Sequence, residues 1–527
     1  MTTAARFEPV TEGDARPEIV CTRRQPDEIV TEAIDALVRA NDPPQLFLRA
    51  GEIVRIVRDE EDRAAIASAG DDVLLERLYA AAKWFAHSGK SLVDTDPPRK
   101  IATAARVRIL GAGTYLPPLA GVVSAPTLRA DGSILATPGY DPRSRLYLAP
   151  EPGLEVPAIP DAPDARDLAD AVDWIDSVLQ DFPFVDASDR ASAFGLVQTL
   201  AMREAIRSRS PGCVPLHSVT AKQQGTGKGL LLQALVTIAT GRGASLSSMP
   251  EGRSAEEELR KRILTILRAG RRVAVLDNVT RPIDSSSLAG LVTAERWTDR
   301  VLGVTADMDL RNDTTWVVTG NNVTVRGDFV RRVVWCRLNA QHARPWTRSG
   351  FTHADLLGYV AERRGVLLGA ALTIARAWFA AGCPEPPDTV PRMGGFDTWR
   401  CVVGGALAHA GVEGFLGAAE EMYDLADDEG PAWAAFLAAW RDWCHEAVPV
   451  AELLEELRRE GSTLAETLPA ELAPLLEHVR SAGQRIGSAL LTREGKRFAL
   501  GAGCTWVERA GRHGRTKAAL WRVHRED

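Results

Sequence analysis

Val214-Pro-Leu-His-Ser-Val-Thr-Ala-Lys-Gln-Gln-Gly-Thr-Gly-Lys228-Gly-Leu-Leu-Leu232 is the stretch on which the fold turns. An apolar strand runs into a glycine-bracketed turn, a lysine follows, and a helix opens directly after it. That order builds a phosphate cradle from Gln224, Gly225, Thr226, Gly227, Lys228 and Gly229. Backbone N–H groups face inward, the helix N-terminus adds the positive end of its dipole, and Lys228 reaches the terminal phosphates. The usual pattern has Gly six residues before the Lys and Ser or Thr just after it. Here those places hold Lys222 and Gly229. Without the hydroxyl, Mg²⁺ must lean on water, on Thr226, or on a carboxylate elsewhere. The plainer reading is a glycine-rich strand-to-helix turn with an exposed lysine, and only further motifs separate the two.

Those motifs follow downstream. Ala269-Gly-Arg-Arg272 reads as a polar turn and Val273-Ala-Val-Leu-Asp277-Asn278 as a buried strand ending in a carboxylate. A parallel strand beside the phosphate strand places Asp277 where it can hold the metal or its waters. Thr315-Trp-Val-Val-Thr319-Gly-Asn321-Asn322 is another apolar strand with a polar end, suited to orienting the attacking water or sensing the γ-phosphate. Phe329-Val-Arg331-Arg332-Val-Val-Trp-Cys336 leads a paired arginine into a further strand. An arginine so placed can enter a neighbouring subunit's site and stabilise charge on the transferred phosphoryl group.

With Gly225-Thr-Gly-Lys228, Leu276-Asp-Asn278, Thr319-Gly-Asn-Asn322 and Arg331-Arg332 at short intervals, the chain resembles the superfamily 3 helicases. These are a compact branch of the AAA+ ATPases of viruses, phages and mobile elements. The resemblance is strongest over roughly residues 165–345. It extends to the phage and mobile-element primase/helicase-like ATPases through Glu295-Arg-Trp-Thr-Asp-Arg300-Val-Leu-Gly and Gly320-Asn-Asn-Val-Thr-Val-Arg326-Gly-Asp. It implies a ring, expected to be a homo-hexamer, with ATP at subunit interfaces and single-stranded DNA in the channel. One departure bears on mechanism. Asn278 stands where a second acidic residue is expected and cannot act as a general base. Either Asp277 serves both metal and water, or a base arrives from elsewhere, with Glu257 and Glu258 on an intervening helix as candidates. The competing reading pairs those glutamates with Lys261 and Arg262 along an exposed face.

Composition fits such a machine. At 527 residues the chain has room for three or four domains, and with 25% charged residues it is not a disordered polymer. A formal charge of −7 excludes a surface uniformly coated for DNA but not a local basic patch. The seven cysteines stand singly with no Cys-x-x-Cys pair, which argues against a zinc ribbon or a disulfide framework and suits a reducing bacterial cytoplasm. The N-terminus lacks a signal-peptide core. The apolar run from Val366 is interrupted by Arg376 and reads as a buried helix, not a membrane span.

The expected class is α/β, a P-loop AAA+ ATPase core with an N-terminal α+β region, a helical bundle and a C-terminal winged helix. Residues 1–155 form the N-terminal region, with the first 25 or so mobile, helices over 28–39 and 73–86, and a β-rich, proline-turned segment after them. Asp94-Thr-Asp96 reads as a turn before Pro97, and Asp307-Met-Asp309 as a loop. Residues 156–345 hold a proline-marked linker, two collar helices (164–181 and 187–208) and the ATPase. Residues 346–445 are the helical bundle and 446–527 the winged helix, with helices from 449 and over 471–482. From Arg480 to Asp527 there are eleven Lys and Arg against four Asp and Glu, about +7 locally. Gly511-Arg-His-Gly-Arg-Thr-Lys517 reads as a wing tip for duplex phosphates, against the alternative of a solvated basic tail or a protein-docking module.

The expected function is an ATP-dependent DNA helicase or translocase in phage or mobile-element replication, working with ATP and Mg²⁺ and a separate primase or polymerase. Lys228, Asp277, Asn321, Arg331 and Arg332 carry catalysis; Gln224–Gly229 and Asn278 bind nucleotide; Asp277 holds the metal. The alternative is a DNA-binding initiator or helicase loader without motor activity. A small-molecule kinase accounts for neither Thr319-Gly-Asn-Asn322 nor the basic C-terminus.

Overall fold

The computed structural model describes residues 16–300, 307–426, 430–476, 481–501 and 503–526. Residues 1–15 of the expected mobile segment, Val301-Leu-Gly303 of the connecting text, and Arg480 and Asp527 of the basic C-terminus lie outside the described residues. The chain divides into two compact units, Met1–Ala419 and Glu420–Asp527.

Apolar residues at helical spacing draw together the first three helices of the larger unit, Pro26–Ala40, Asp71–Ala81 and Arg99–Ala112. Ile29, Ile34, Leu74, Leu78, Ile101 and Ile109 form their common core. The helix expected over 73–86 stops at Ala81, and Lys83–Ser88 is a strand paired in parallel with Glu18–Val20. At Trp84 the pattern changes from every fourth residue to single buried positions, and the indole N–H donates back to the Leu78 carbonyl, which locks the reversal. Asp94 ends the strand Ser91–Asp94. The β-rich segment after it is a three-stranded sheet of Gly121–Val123, Gly139–Asp141 and Leu146–Leu148 beside a small hairpin that turns at Asp131-Gly132.

The centre of this unit is a five-stranded, wholly parallel sheet in the order Leu246–Ser248, Val273–Asp277, Thr315–Asn321, Leu216–Ala221, Val333–Leu338. Val273–Asp277, Thr315–Asn321 and Val333–Leu338 read as near-continuous apolar runs because both their faces are covered, whereas the edge strand Leu246–Ser248 is largely exposed. Leu216–Ala221, the cradle strand, leads to the cradle helix Lys228–Thr240. Val273–Asp277 is the aspartate strand and Thr315–Asn321 the asparagine strand. The aspartate strand is not the cradle strand's neighbour as expected, since the asparagine strand lies between them. Two collar helices precede the sheet. Ala165–Leu179 opens with a capping box from Asp164 and Asp167, and Ala187–Ala201 is capped by Asp186. The run expected to continue to Ser208 breaks at Met202 before the short helix Arg203–Arg207. The 25-residue helix Leu356–Ala380 packs on the first collar helix and the cradle helix. Asp307-Met-Asp309 is not a loop. It lies in the strand Asp307–Arg311, antiparallel to Arg296–Arg300.

In the smaller unit the helix Gly430–Trp443 contributes Trp433, Phe436, Leu437 and Trp440 to a core shared with Leu453, Ile486, Leu490, Phe498 and Val507. The sequence reading grouped this helix with residues 346–445, but its aromatic face completes the C-terminal core. The antiparallel sheet runs Val448–Pro449, Ala519–Glu526, Gly503–Arg512, Phe498–Leu500. Helix Gly430–Trp443 packs on its three longer strands, and Val450–Leu457 lies on Val448–Pro449 and Ala519–Glu526 with Ala482–Thr492 against it. Of the helix expected over 471–482, a turn at Ala473–Leu476 is described and residues 477–480 are outside the described set. The two long strands join through a tip at 513–518 that exposes Arg515 and Lys517.

Candidate functional site

The cradle sits at the C-terminal edge of the parallel sheet, where the strand order reverses about the cradle strand, the usual place for a ligand in such sheets. Gly225 (φ +71°) and Gly227 (φ +99°) occupy the left-handed region that glycine alone enters freely. A Cβ on Gly225 would meet Trp346 at 3.0 Å, and one on Gly227 would meet Phe182 at 3.2 Å. No side chain caps the helix that begins at Lys228, so its first N–H groups are left to a ligand.

The strand ends deliver three side chains to this cradle. Lys228 Nζ donates to Asn321 Oδ1 at 2.6 Å. Burial pushes the Lys228 ammonium below the ordinary lysine range, while the Asp277 carboxylate pulls it back up. Asp277 accepts from the Thr319 hydroxyl, and that hydroxyl takes the Asn278 N–H at 3.4 Å. Gly320 is required by close approach, because a Cβ there would lie 2.3 Å from the Val279 carbonyl oxygen. Asn322 N–H bonds the Ala221 carbonyl at 3.0 Å, tying this corner to the end of the cradle strand. Lys228, Asn321, Asp277 and Asn278 are thus brought together, with Gln224 on the loop and Gly229 in the first turn of the helix. Both of the latter are exposed.

Thr226 is buried, and its hydroxyl proton is spent on the Gln223 carbonyl at 2.5 Å. A Cβ on Gly229 would meet open space, so the missing hydroxyl there is not a steric exclusion. Glu257 and Glu258 pair with Lys261 at 2.6 Å and Arg262 at 3.1 Å, the exposed-face arrangement rather than a site arrangement. The acid that does approach the segment after Asp277 is Glu251, which accepts from Thr280 at 3.5 Å. Sequence reasoning passed over it because it lies in a short loop before the helix. It also passed over Phe182 and Trp346, which only the fold brings to the glycines. Trp346 carried one readable signal, a lone bulky aromatic in a polar stretch.

The paired arginines lie elsewhere. Leu216 N–H bonds the Arg332 carbonyl at 2.9 Å, which fixes the pair at the foot of the sheet, opposite the cradle. Arg332 donates to the Ala289 carbonyl at 2.6 Å and to Asp328 at 2.8 Å. Arg331 is 64% exposed and only 3.8 Å from Asp328 at its nearest. A groove of about 670 Å³ also opens near the foot of the sheet, with Arg143, Arg145, Arg207, Arg296 and Arg311 among its lining. Burial pushes the Asp313 carboxyl there up, but Arg203, Arg207, Arg311 and Arg272 outweigh it and hold it below the ordinary range.

No family model and no curated protein matches the chain. Among solved structures it is similar to the apo A form of the NrS-1 C-terminal region at 11% identity, covering 81% of this chain and 84% of that one (TM-score 0.34). A second structure of that region gives 12% identity, the same coverage and a TM-score of 0.33. SCCmec type IV Cch, described as an active helicase, is 12% identical over 79% of each chain with a TM-score of 0.35. Among the described residues no cluster of three or more His, Cys, Asp or Glu could hold a metal, and no helix is long and apolar enough to cross a membrane.

Proposed function

We propose that this chain is a P-loop ATPase of the AAA+ type that works as an ATP-dependent DNA helicase or translocase for a phage or mobile element. The observation that carries the reading is the convergence of Lys228, Asn321 and Asp277 beside an uncapped helix N-terminus. In the free protein Asn321 holds the Lys228 ammonium in place, so the lysine is positioned before nucleotide arrives. A triphosphate laid in the loop accepts from the N–H groups of Gly227, Lys228 and Gly229 and takes the ammonium onto its β- and γ-oxygens. Asn321, released, can orient the attacking water.

Asp277 is the residue that would hold Mg²⁺, a metal bound through one or two carboxylates plus the phosphates themselves, and its charge would neutralise the β- and γ-oxygens. Thr319 fixes the Asp277 carboxylate in place through its hydroxyl. Arg331, exposed and at the opposite end of the sheet, is suited to a neighbouring copy's nucleotide, which supports a ring; a hexamer is the reading adopted here. Arg332 is held by its own chain and serves the loop that presents Arg331.

For DNA, a winged-helix reading of the smaller unit is supported by its order of helix, short strand, helices, a second short strand and then a two-stranded ribbon with Arg515 and Lys517 at its tip. That tip suits duplex phosphates. The test is strand displacement from a forked duplex by the purified chain with ATP, with Lys228→Ala alongside. Displacement lost in the variant supports a motor. ATP-dependent DNA binding without displacement would overturn it in favour of an initiator or helicase loader.

A further inference from the structure

Trp346 is a bulky indole left 64% exposed, yet it lies against the glycine loop: a Cβ on Gly225 would meet its Cβ at 3.0 Å and its Cε3 at 3.2 Å. The Phe182 ring edge lies 3.2 Å from where a Cβ on Gly227, two residues further along the loop, would stand. The cradle is therefore flanked by two aromatic rings carried on separate segments. Those segments are fastened to each other. The turn Pro345–Thr347 is closed by Thr347 N–H to the Arg344 carbonyl at 3.0 Å. Arg348 then donates to the Asp181 carbonyl at 3.0 Å, and the Asp181 carboxylate accepts the Thr352 N–H at 2.7 Å and its hydroxyl at 3.2 Å.

On the reading that the cradle binds a triphosphate, we propose that Trp346, with Phe182, is the stacking platform for the nucleobase. The site then takes nucleoside triphosphates with little discrimination among bases. Discrimination by base identity requires donors and acceptors aimed at the base edge. Several such groups near Trp346 are engaged within the protein: the Thr347 hydroxyl on the Arg344 carbonyl at 2.8 Å, Arg348 on Asp181, and Asp181 on Thr352. The indole itself offers a flat π-surface, and stacking tolerates any base because every base has a π-face.

The test is equilibrium binding of ATP, GTP, CTP, UTP and inorganic tripolyphosphate to the full chain and to Trp346→Ala, Trp346→Phe and Lys228→Ala. The four nucleotides are expected to bind the native chain within about threefold of one another, given a sequence-tolerant stack. Trp346→Ala weakens all four by roughly 5- to 150-fold, the range of one base–aromatic stack, leaves tripolyphosphate unchanged, and is largely rescued by Trp346→Phe. A native preference of more than tenfold for one base overturns the proposal. So does a Trp346→Ala chain that binds nucleotides as the native does, or that loses tripolyphosphate equally. Native binding by Lys228→Ala would instead sink the triphosphate reading itself, so the two failures are distinguishable.

Discussion

Arg331→Ala and Arg332→Ala, one residue apart, are expected to fail in different ways. Both precede the strand Val333–Leu338, whose first residue pairs with Leu216 at the start of the six-residue cradle strand. The cradle lies beyond the far end of that strand, about 20 Å away at 3.3 Å per residue, farther than any side chain extends. Arg331 therefore cannot reach its own chain's nucleotide, and a part in hydrolysis needs a second copy. An arginine supplied in trans is worth about 10³–10⁵ in kcat, so Arg331→Ala should lose about 10³-fold or more with stability intact. Arg332→Ala removes the bond to the Ala289 carbonyl and a more exposed one to Asp328. With the exposed bond discounted for solvent screening, it should cost about 1.5–3 kcal/mol of stability. The assay is ATP turnover in mixtures of Arg331→Ala with Lys228→Ala, each nearly inactive alone. A random ring places an intact cradle against an intact Arg331 at about a quarter of its interfaces, so activity should return on mixing. Native turnover by Arg331→Ala, or mixtures as inactive as their components, would refute this reasoning.

Three other outcomes follow from the same geometry. Asn321→Ala leaves Lys228 without its acceptor and should lower kcat/KM by about 10- to 100-fold, the worth of one hydrogen bond to a charged group; a change under about twofold contradicts that. Because burial holds Lys228 below the ordinary lysine range and a triphosphate raises it, binding at alkaline pH should take up a proton, and affinity should fall as pH rises through the lowered value. Calorimetry in buffers of different ionisation enthalpy reads that proton, and its persistence in Lys228→Met would refute the assignment. Asp189, fully buried, accepts from the Arg337 guanidinium and backbone. Asp189→Ala leaves Arg337 its bond to the more exposed Asp186 and should cost about 1.5–3 kcal/mol in urea unfolding, and a loss below about 0.5 kcal/mol would contradict it.

Much of the candidate site was legible because its elements are local. A glycine loop between an apolar strand and a helix, and apolar strands ending in Asp277 and Asn321, need only their own neighbours in sequence to be seen. What depends on pairing between distant strands was not legible. The sequence placed Asp277 beside the cradle strand, whereas the asparagine strand intervenes, and nothing in Val273–Asp277 encodes its partner. The pairing of Arg296–Arg300 with Asp307–Arg311 was missed because their charged, alternating residues look like solvent-facing loop until the partner strand is known. Residues 73–86 misled for the opposite reason: a helical spacing through Leu78 continues by chance past the point where Trp84 turns the chain. The difference between Arg331 and Arg332 is invisible in the sequence, since it rests on the carbonyl of Ala289, more than forty positions away.

The central claim, that the cradle at Lys228 turns over nucleotide for work on DNA, is tested most directly by ATP hydrolysis with and without single-stranded DNA. Lys228→Ala serves as the blank. Hydrolysis is expected to rise on adding the strand and to be absent from the variant. Hydrolysis unchanged by Lys228→Ala would contradict the site, and hydrolysis indifferent to DNA would contradict the motor.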